Sequence, residues 1–185
     1  MSIAKVDAIT DRAGTGPTTA TFGIKSILGY YYGYFDTTGT WARTSATMGD
    51  GTNSGGSNLI ALQSVNMGTV SAATSSVLGI LLTPPSVTAA YFVQCVFGVK
   101  NSNAGGYEMN FRLYDGTNTV GINGFTSSSV RISPASISGI WVPGTTSPST
   151  IKIQIASESP ETTTIQGVST GGANAASWTI IKLNP

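Results

Sequence analysis

The amino-acid sequence predicts an all-β protein: a jelly-roll-like β-sandwich entered through an extended N-terminal arm. Three observations carry that prediction. From Leu59 onward, apolar and polar residues alternate with a period of two, the pattern of strands that bury one face. Gly, Pro, Asn and Asp interrupt this pattern often enough to leave about eight or more short strands separated by turns, as in sandwiches and jelly rolls. No helical period runs beyond two turns.

Residues 1–28 are read as the arm and residues 29–185 as the β-domain. The arm holds one aromatic residue, Phe22, and the turn-rich run Ala13-Gly14-Thr15-Gly16-Pro17. Pro17 fixes its own φ and the glycines permit positive φ, so this run predicts a shaped, non-helical loop. A segment of this composition buries too little apolar surface to order itself, so it is expected to lie on a neighbouring chain. Ile27 to Phe35 is the densest aromatic cluster in the chain and opens the domain. Residues 36–58, rich in Thr, Gly, Asn and Ser around Trp41, read as one long loop. Such a length points to function or to packing on a partner.

Beyond it the strands follow in order. Strands are expected at 77–82, 91–100, 107–114, 118–123, 137–142, 150–156, 162–168 and 176–183. In the second, Tyr91, Val93, Cys95, Phe97 and Val99 share a face. The third is the cleanest: Tyr107, Met109, Phe111 and Leu113 alternate with Glu108, Asn110, Arg112 and Tyr114. It ends at Asp115-Gly116, a two-residue hairpin signal. Ile151, Ile153 and Ile155 share a face, as do Trp178 and Ile180. Pro84-Pro85, Pro143-Gly144, Pro148 and Pro160 fall between strands, where a missing amide donor does least harm.

Composition narrows the function. The chain has 185 residues, 40% of them hydrophobic and 9% charged, where a soluble domain carries about 25% charged residues. Thr, Ser, Gly and Asn fill the difference. Such a surface is cheap to desolvate and suits a protein largely covered by other chains; a bland secreted or virion exterior is the other reading. The formal net charge is +1, and the nine basic residues are spread from Lys5 to Lys182. Nucleic acid is therefore not an expected partner. No apolar run approaches about 18 residues, so membrane insertion is not expected. Nor does Met-Ser-Ile-Ala-Lys-Val-Asp start a signal peptide. Synthesis and retention in the cytosol until lysis is the expectation.

The chemistry expected of enzymes is thin. There is no histidine, which removes Ser-His-Asp and Cys-His catalysis and most zinc, copper and non-haem iron sites. Cys95, the single cysteine, allows no intrachain disulfide and reads as a buried small hydrophobe. The eight acids are scattered, whereas glycosidases need a carboxyl pair about 5–9.5 Å apart. No enzyme, catalytic residue, cofactor or metal is assigned. Asp50-Gly51-Thr52-Asn53 and Glu158-Ser159-Pro160-Glu161 offer oxygens for calcium, but neither has EF-hand spacing, and hydrogen-bonded turns are the favoured reading. Gly14-Thr15-Gly16 lacks the rest of a nucleotide loop. Tyr30, Tyr31, Tyr32, Tyr34 and Trp41 are read either as a glycan-stacking platform or as core and subunit interface, with packing favoured.

Lys5-Val6-Asp7-Ala8-Ile9, then Gly14-Thr15-Gly16-Pro17 and Phe22-Gly23-Ile24, resembles an N-terminal pattern of tailed-bacteriophage virion structural proteins, of the small tail-fibre or capsid-decoration type. Family members often read Gly-Thr-Gly-Ala-Pro where this chain has Gly-Thr-Gly-Pro. The closing segment Ala176 to Leu183 resembles the last strand of trimeric jelly rolls of the C1q/TNF type in phage fibres. The resemblance implies a non-enzymatic structural protein, a small tail-fibre or tail-attachment protein anchored by its arm through Val6, Asp7, Ile9, Gly14, Thr15, Gly16, Pro17 and Phe22. A capsid decoration (cement) or head-fibre protein is the alternative, and a lectin-like glycan-binding module the second. It implies a homotrimer whose partners are tail, baseplate or capsid proteins and, in the lectin case, host-surface glycan. The expected location is the virion, assembled in the host cytoplasm.

Overall fold

A computed structural model describes residues 29–36, 40–53, 58–74, 77–103, 106–127, 132–158, 161–166 and 174–183. The arm, residues 1–28, lies outside the described residues, and with it Val6, Asp7, Ile9, Gly14, Thr15, Gly16, Pro17 and Phe22. The described chain forms strands β1 (Gly29–Asp36), β2 (Trp41–Arg43), β3 (Thr52–Asn53), β4 (Asn58–Val65), β5 (Val70–Thr74), β6 (Val77–Leu82) and β7 (Tyr91–Asn101). They continue as β8 (Tyr107–Tyr114), β9 (Thr119–Ser127), β10 (Ser133–Trp141), β11 (Ser149–Ser157), β12 (Thr163–Gln166) and β13 (Asn174–Lys182).

All pairings are antiparallel, in two sheets. One has eight strands in the order β3-β2-β12-β7-β13-β1-β4, with β10 also on β7; the other has five, β5-β6-β11-β8-β9. β10 pairs with β7 along 91–99, so β13 and β12 share the opposite edge of β7 at 91–97 and 98–101. Taking β1, β6, β7, β8, β9, β10, β11 and β13 as eight successive strands, one sheet holds the first, eighth, third and sixth. The other holds the second, seventh, fourth and fifth. This interleaving is the jelly roll, and β4 and β5 extend the two sheets beyond β1 and β6.

The alternation puts one parity of each long strand into the space between the sheets. Tyr91, Val93, Cys95, Phe97 and Val99 of β7 are buried there, facing Met109, Phe111 and Leu113 of β8 and Ile151, Ile153 and Ile155 of β11. Phe97 meets Phe111 edge-on across the two sheets, ring centroids 5.1 Å apart, a favoured aromatic geometry. At one side the sheets touch through β9 and β10. A Cβ on Gly139 would collide with the Val120 carbonyl, and one on Gly121 with that of Ser138, so both positions need glycine.

Three expectations require correction. Residues 36–58 are not one loop: Trp41 pairs with Ile165 of β12 and Asn53 of β3, because the buried indole anchors a strand within a polar stretch. β10 begins earlier than 137 and includes Pro134, opposite Gly98. A proline is tolerated there because β10 ladders only on β7 and is an edge strand. The hairpin after β8 has Gly116 and Thr117, not Asp115 and Gly116, at its centre. Asp115 donates its N–H to the Asn118 carbonyl at 3.2 Å, and its Oδ1 accepts from the amides of Thr117 and Asn118. Asp115 thus organises the turn from its first position, and Gly116 supplies the positive φ of 99°.

Candidate functional site

The five aromatic residues do not share a surface. On β1 the side chains alternate, so Tyr31 and Phe35 enter the core while Tyr30, Tyr32 and Tyr34 point the other way. Trp41 is 1% exposed and packs edge-on against Phe35 at 6.0 Å. Burial pushes the Tyr31 hydroxyl up to about 12. A stacking platform of Tyr30, Tyr31, Tyr32, Tyr34 and Trp41 is thereby ruled out, since two of the five cannot reach a ligand. Cys95 is fully buried, and its thiol is pushed well up by desolvation, the opposite of what a nucleophile needs.

Charge gathers on the outer face of the five-stranded sheet. Asp50 follows Gly49, which bridges to Ile155 at the edge of β11. Its carboxylate accepts from Lys152 Nζ at 2.7 Å and from Gln154 Nε2 at 2.9 Å. Gln154 Oε1 accepts from Arg112 Nε and Nη2, and that guanidinium lies 4.2 Å over the Tyr114 ring. Burial alone would raise the Asp50 carboxyl, but the bonds from Lys152 and Gln154 and the charges of Lys152 and Arg43 hold it below its ordinary value. The run Asp50-Gly51-Thr52-Asn53 is not the expected turn: Thr52 and Asn53 form β3 on β2, and the Asp50 carboxylate ahead of them is already engaged. In the second run, Glu158 Oε2 accepts the Glu108 N–H, and Glu161 accepts from Ser102 and Asn103; Ser159 and Pro160 lie outside the described residues.

The outer face of the eight-stranded sheet differs. Directly paired residues share a face, and the registers place Val65, Tyr30, Ile181, Phe92 and Ile140 in one row across β4, β1, β13, β7 and β10. The next row is Gln63, Tyr32, Thr179, Gln94 and Ser138, and the third contains Tyr34, Ser177, Val96 and Ser136. None of these residues is charged. Leu183, bonded through its N–H to the Ala90 carbonyl, and Val142 extend the apolar row toward the end of the sandwich; both are exposed, as are Val65 and Ile140. Charge enters this register beyond the three rows, with Lys100 beside Thr164 of β12 and Asp36 of β1 opposite Asn58 and Asn174. Gly29, where the described chain begins, pairs with Lys182 at the apolar end.

Sequence reasoning missed this row because it followed one face of each strand. The signal was present as apolar neighbours at both parities: Tyr30-Tyr31, Phe92-Val93 and Ile180-Ile181, the mark of strands covered on both sides.

No family model matches the chain, and no curated protein matches its sequence. Solved structures of similar fold do match, a phage vertex protein among them. It is the PRD1 vertex protein P5, at a TM-score of 0.45 and 18% identity, over 86% of this chain and 99% of that one.

Proposed function

We infer that the protein is a non-enzymatic structural subunit of a bacteriophage particle, working as a homotrimer and held to the particle by residues 1–28. The observation that carries the assembly half of this reading is the set of three uncharged rows, one of them apolar, on the outer face of the eight-stranded sheet. Five strands presenting valine, tyrosine, isoleucine and phenylalanine outward form a surface suited to being covered. The arm's resemblance to tail-fibre and decoration proteins carries the other half and favours tail attachment, with capsid decoration as the alternative location.

Cryo-electron microscopy of particles made with the full chain or with a chain lacking residues 1–28 tests this. Density for the subunit at the tail or capsid with the full chain, and its loss with the shortened but folded chain, is the expected result. Equal incorporation of both chains would overturn the role of the arm. Absence of the full chain from purified particles would overturn the reading itself.

A further inference from the structure

We propose that the outer face of the eight-stranded sheet is the seat of a second copy of this chain, centred on the row Val65–Tyr30–Ile181–Phe92–Ile140, and that the Asp50–Lys152–Gln154–Arg112 face stays in solvent. The proposal rests on the homo-oligomeric part of the reading above and not on the particle. Three observations select the occupant.

The first is charge. A surface that seats another copy of a nearly neutral chain gains from carrying little charge, because a charge covered without a partner loses its hydration uncompensated. The three rows carry none, while the opposite face of the sandwich carries Glu108, Arg112 and Lys152 with Asp50 above them. A nucleic acid or a strongly charged protein would find no charged partner in these three rows.

The second is area. Five strands about 4.8 Å apart, taken over roughly nine residues at about 3.3 Å each, cover on the order of 600 Å² in plan. A standard interface buries about 800 Å² per partner, so this face supplies most of what a stable pairing needs.

The third is the pattern of burial. Ile140 is 54% exposed and Val65 42% exposed at the two ends of the row, while Tyr30, Ile181 and Phe92 between them are half-buried by their neighbours. Proud aliphatic side chains at the margins of a flatter aromatic centre suit packing against another copy, since aromatic residues are enriched at interface cores.

The experiment is light scattering of the full chain at micromolar concentration, with Ile140→Glu and Val65→Glu as variants and Ile122→Glu as control. Ile122 is 69% exposed but lies on β9 of the other sheet. The expected result is a wild-type mass that is a multiple of 18.9 kDa. Each row variant should keep its β-sheet circular dichroism, fall to the single-chain mass and lose about 100-fold or more in self-association, because a buried carboxylate there has no partner. The control should keep the wild-type mass. Two variants at opposite ends of the row guard against misfolding of either one. A monomeric wild type would overturn the proposal and assign the face to a different protein. Folded row variants that remain oligomeric would also overturn it, as would a control that dissociates as readily as they do. Because mass is read on the isolated protein, failure here is distinguishable from failure to find the subunit in the particle.

Discussion

Replacing Phe111 by alanine tests the sandwich at its centre. The ring is fully buried in β8 and meets Phe97 of β7 at 5.1 Å, so it joins the two sheets. Met109 and Leu113 flank it on the same face, both fully buried. Truncating a buried phenylalanine costs about 3–5 kcal/mol through lost transfer energy and the residual cavity, and loss of an edge-on pair places this site at the upper end. Whole domains have about 5–15 kcal/mol in total. With a urea m-value of about 2 kcal/mol/M, the unfolding midpoint should fall by roughly 2 M. Asn110, the next residue, points outward and leans over Gly124; Asn110→Ala should move the midpoint by less than about 0.5 M, as surface changes do. Urea unfolding followed by tryptophan fluorescence reads both, since Trp41, Trp141 and Trp178 are all buried. Equal shifts for the two variants would refute the assignment of one wet and one dry face to β8. A shift below about 0.5 M for Phe111→Ala would refute the role of the Phe97–Phe111 pair in holding the sheets together.

Two further outcomes follow from the same structure. Asp50 ionises more readily in the folded chain than its ordinary 3.8, so its contribution is present above about pH 4 and lost as pH falls through the lowered folded value. Asp50→Asn should flatten the acid limb of a plot of urea midpoint against pH while costing less than about 1 kcal/mol at pH 7, because the pair is partly exposed; parallel acid limbs would count against the network. Gly139→Ala forces a methyl against the Val120 carbonyl and should cost about 1–3 kcal/mol by overpacking; a neutral result in urea unfolding would mean that β9 and β10 do not close this side of the sandwich.

Much of the fold was legible because the long strands obey one rule. In β7, β8, β11 and β13 the expected inward residues are the buried ones, apart from half-buried Tyr107 at the start of β8, and the bounds of β6 and β8 coincide with the expected 77–82 and 107–114. The short strands were not legible. β2 and β3 have three and two residues, too few for a period to show, and they exist because Trp41 needs cover and Ile165 offers a ladder. The turn after β8 was misplaced by one residue because the Asp-Gly pair signals a turn without saying which position the aspartate takes. When its carboxylate caps two following amides, the aspartate must stand outside the loop's centre.

The candidate surface was illegible for a different reason. Alternation is a statement about contrast, and it weakens where both faces of a strand are apolar. Phe92 and Val96 on β7 interrupt a polar series with Gln94, and Tyr30, Tyr32 and Tyr34 on β1 have tyrosine's own ambiguity of apolar ring and polar tip. Each deviation alone is unremarkable, since single exposed apolar residues are normal on any protein. They acquire meaning only when the registers align Tyr30 with Ile181, Ile181 with Phe92 and Phe92 with Ile140. Register is long-range information: it pairs residues 30, 181, 92 and 140, which no local window contains. The charge asymmetry has the same origin. Asp50, Arg112 and Lys152 are scattered in the chain, and folding alone gathers them on one face, while three successive rows of the other carry no charge. A sequence with 9% charged residues can spread them thinly or confine them. Confinement leaves three adjoining rows of one sheet face that can lose their water at little electrostatic cost, which a subunit needs if it is to pack against its own kind.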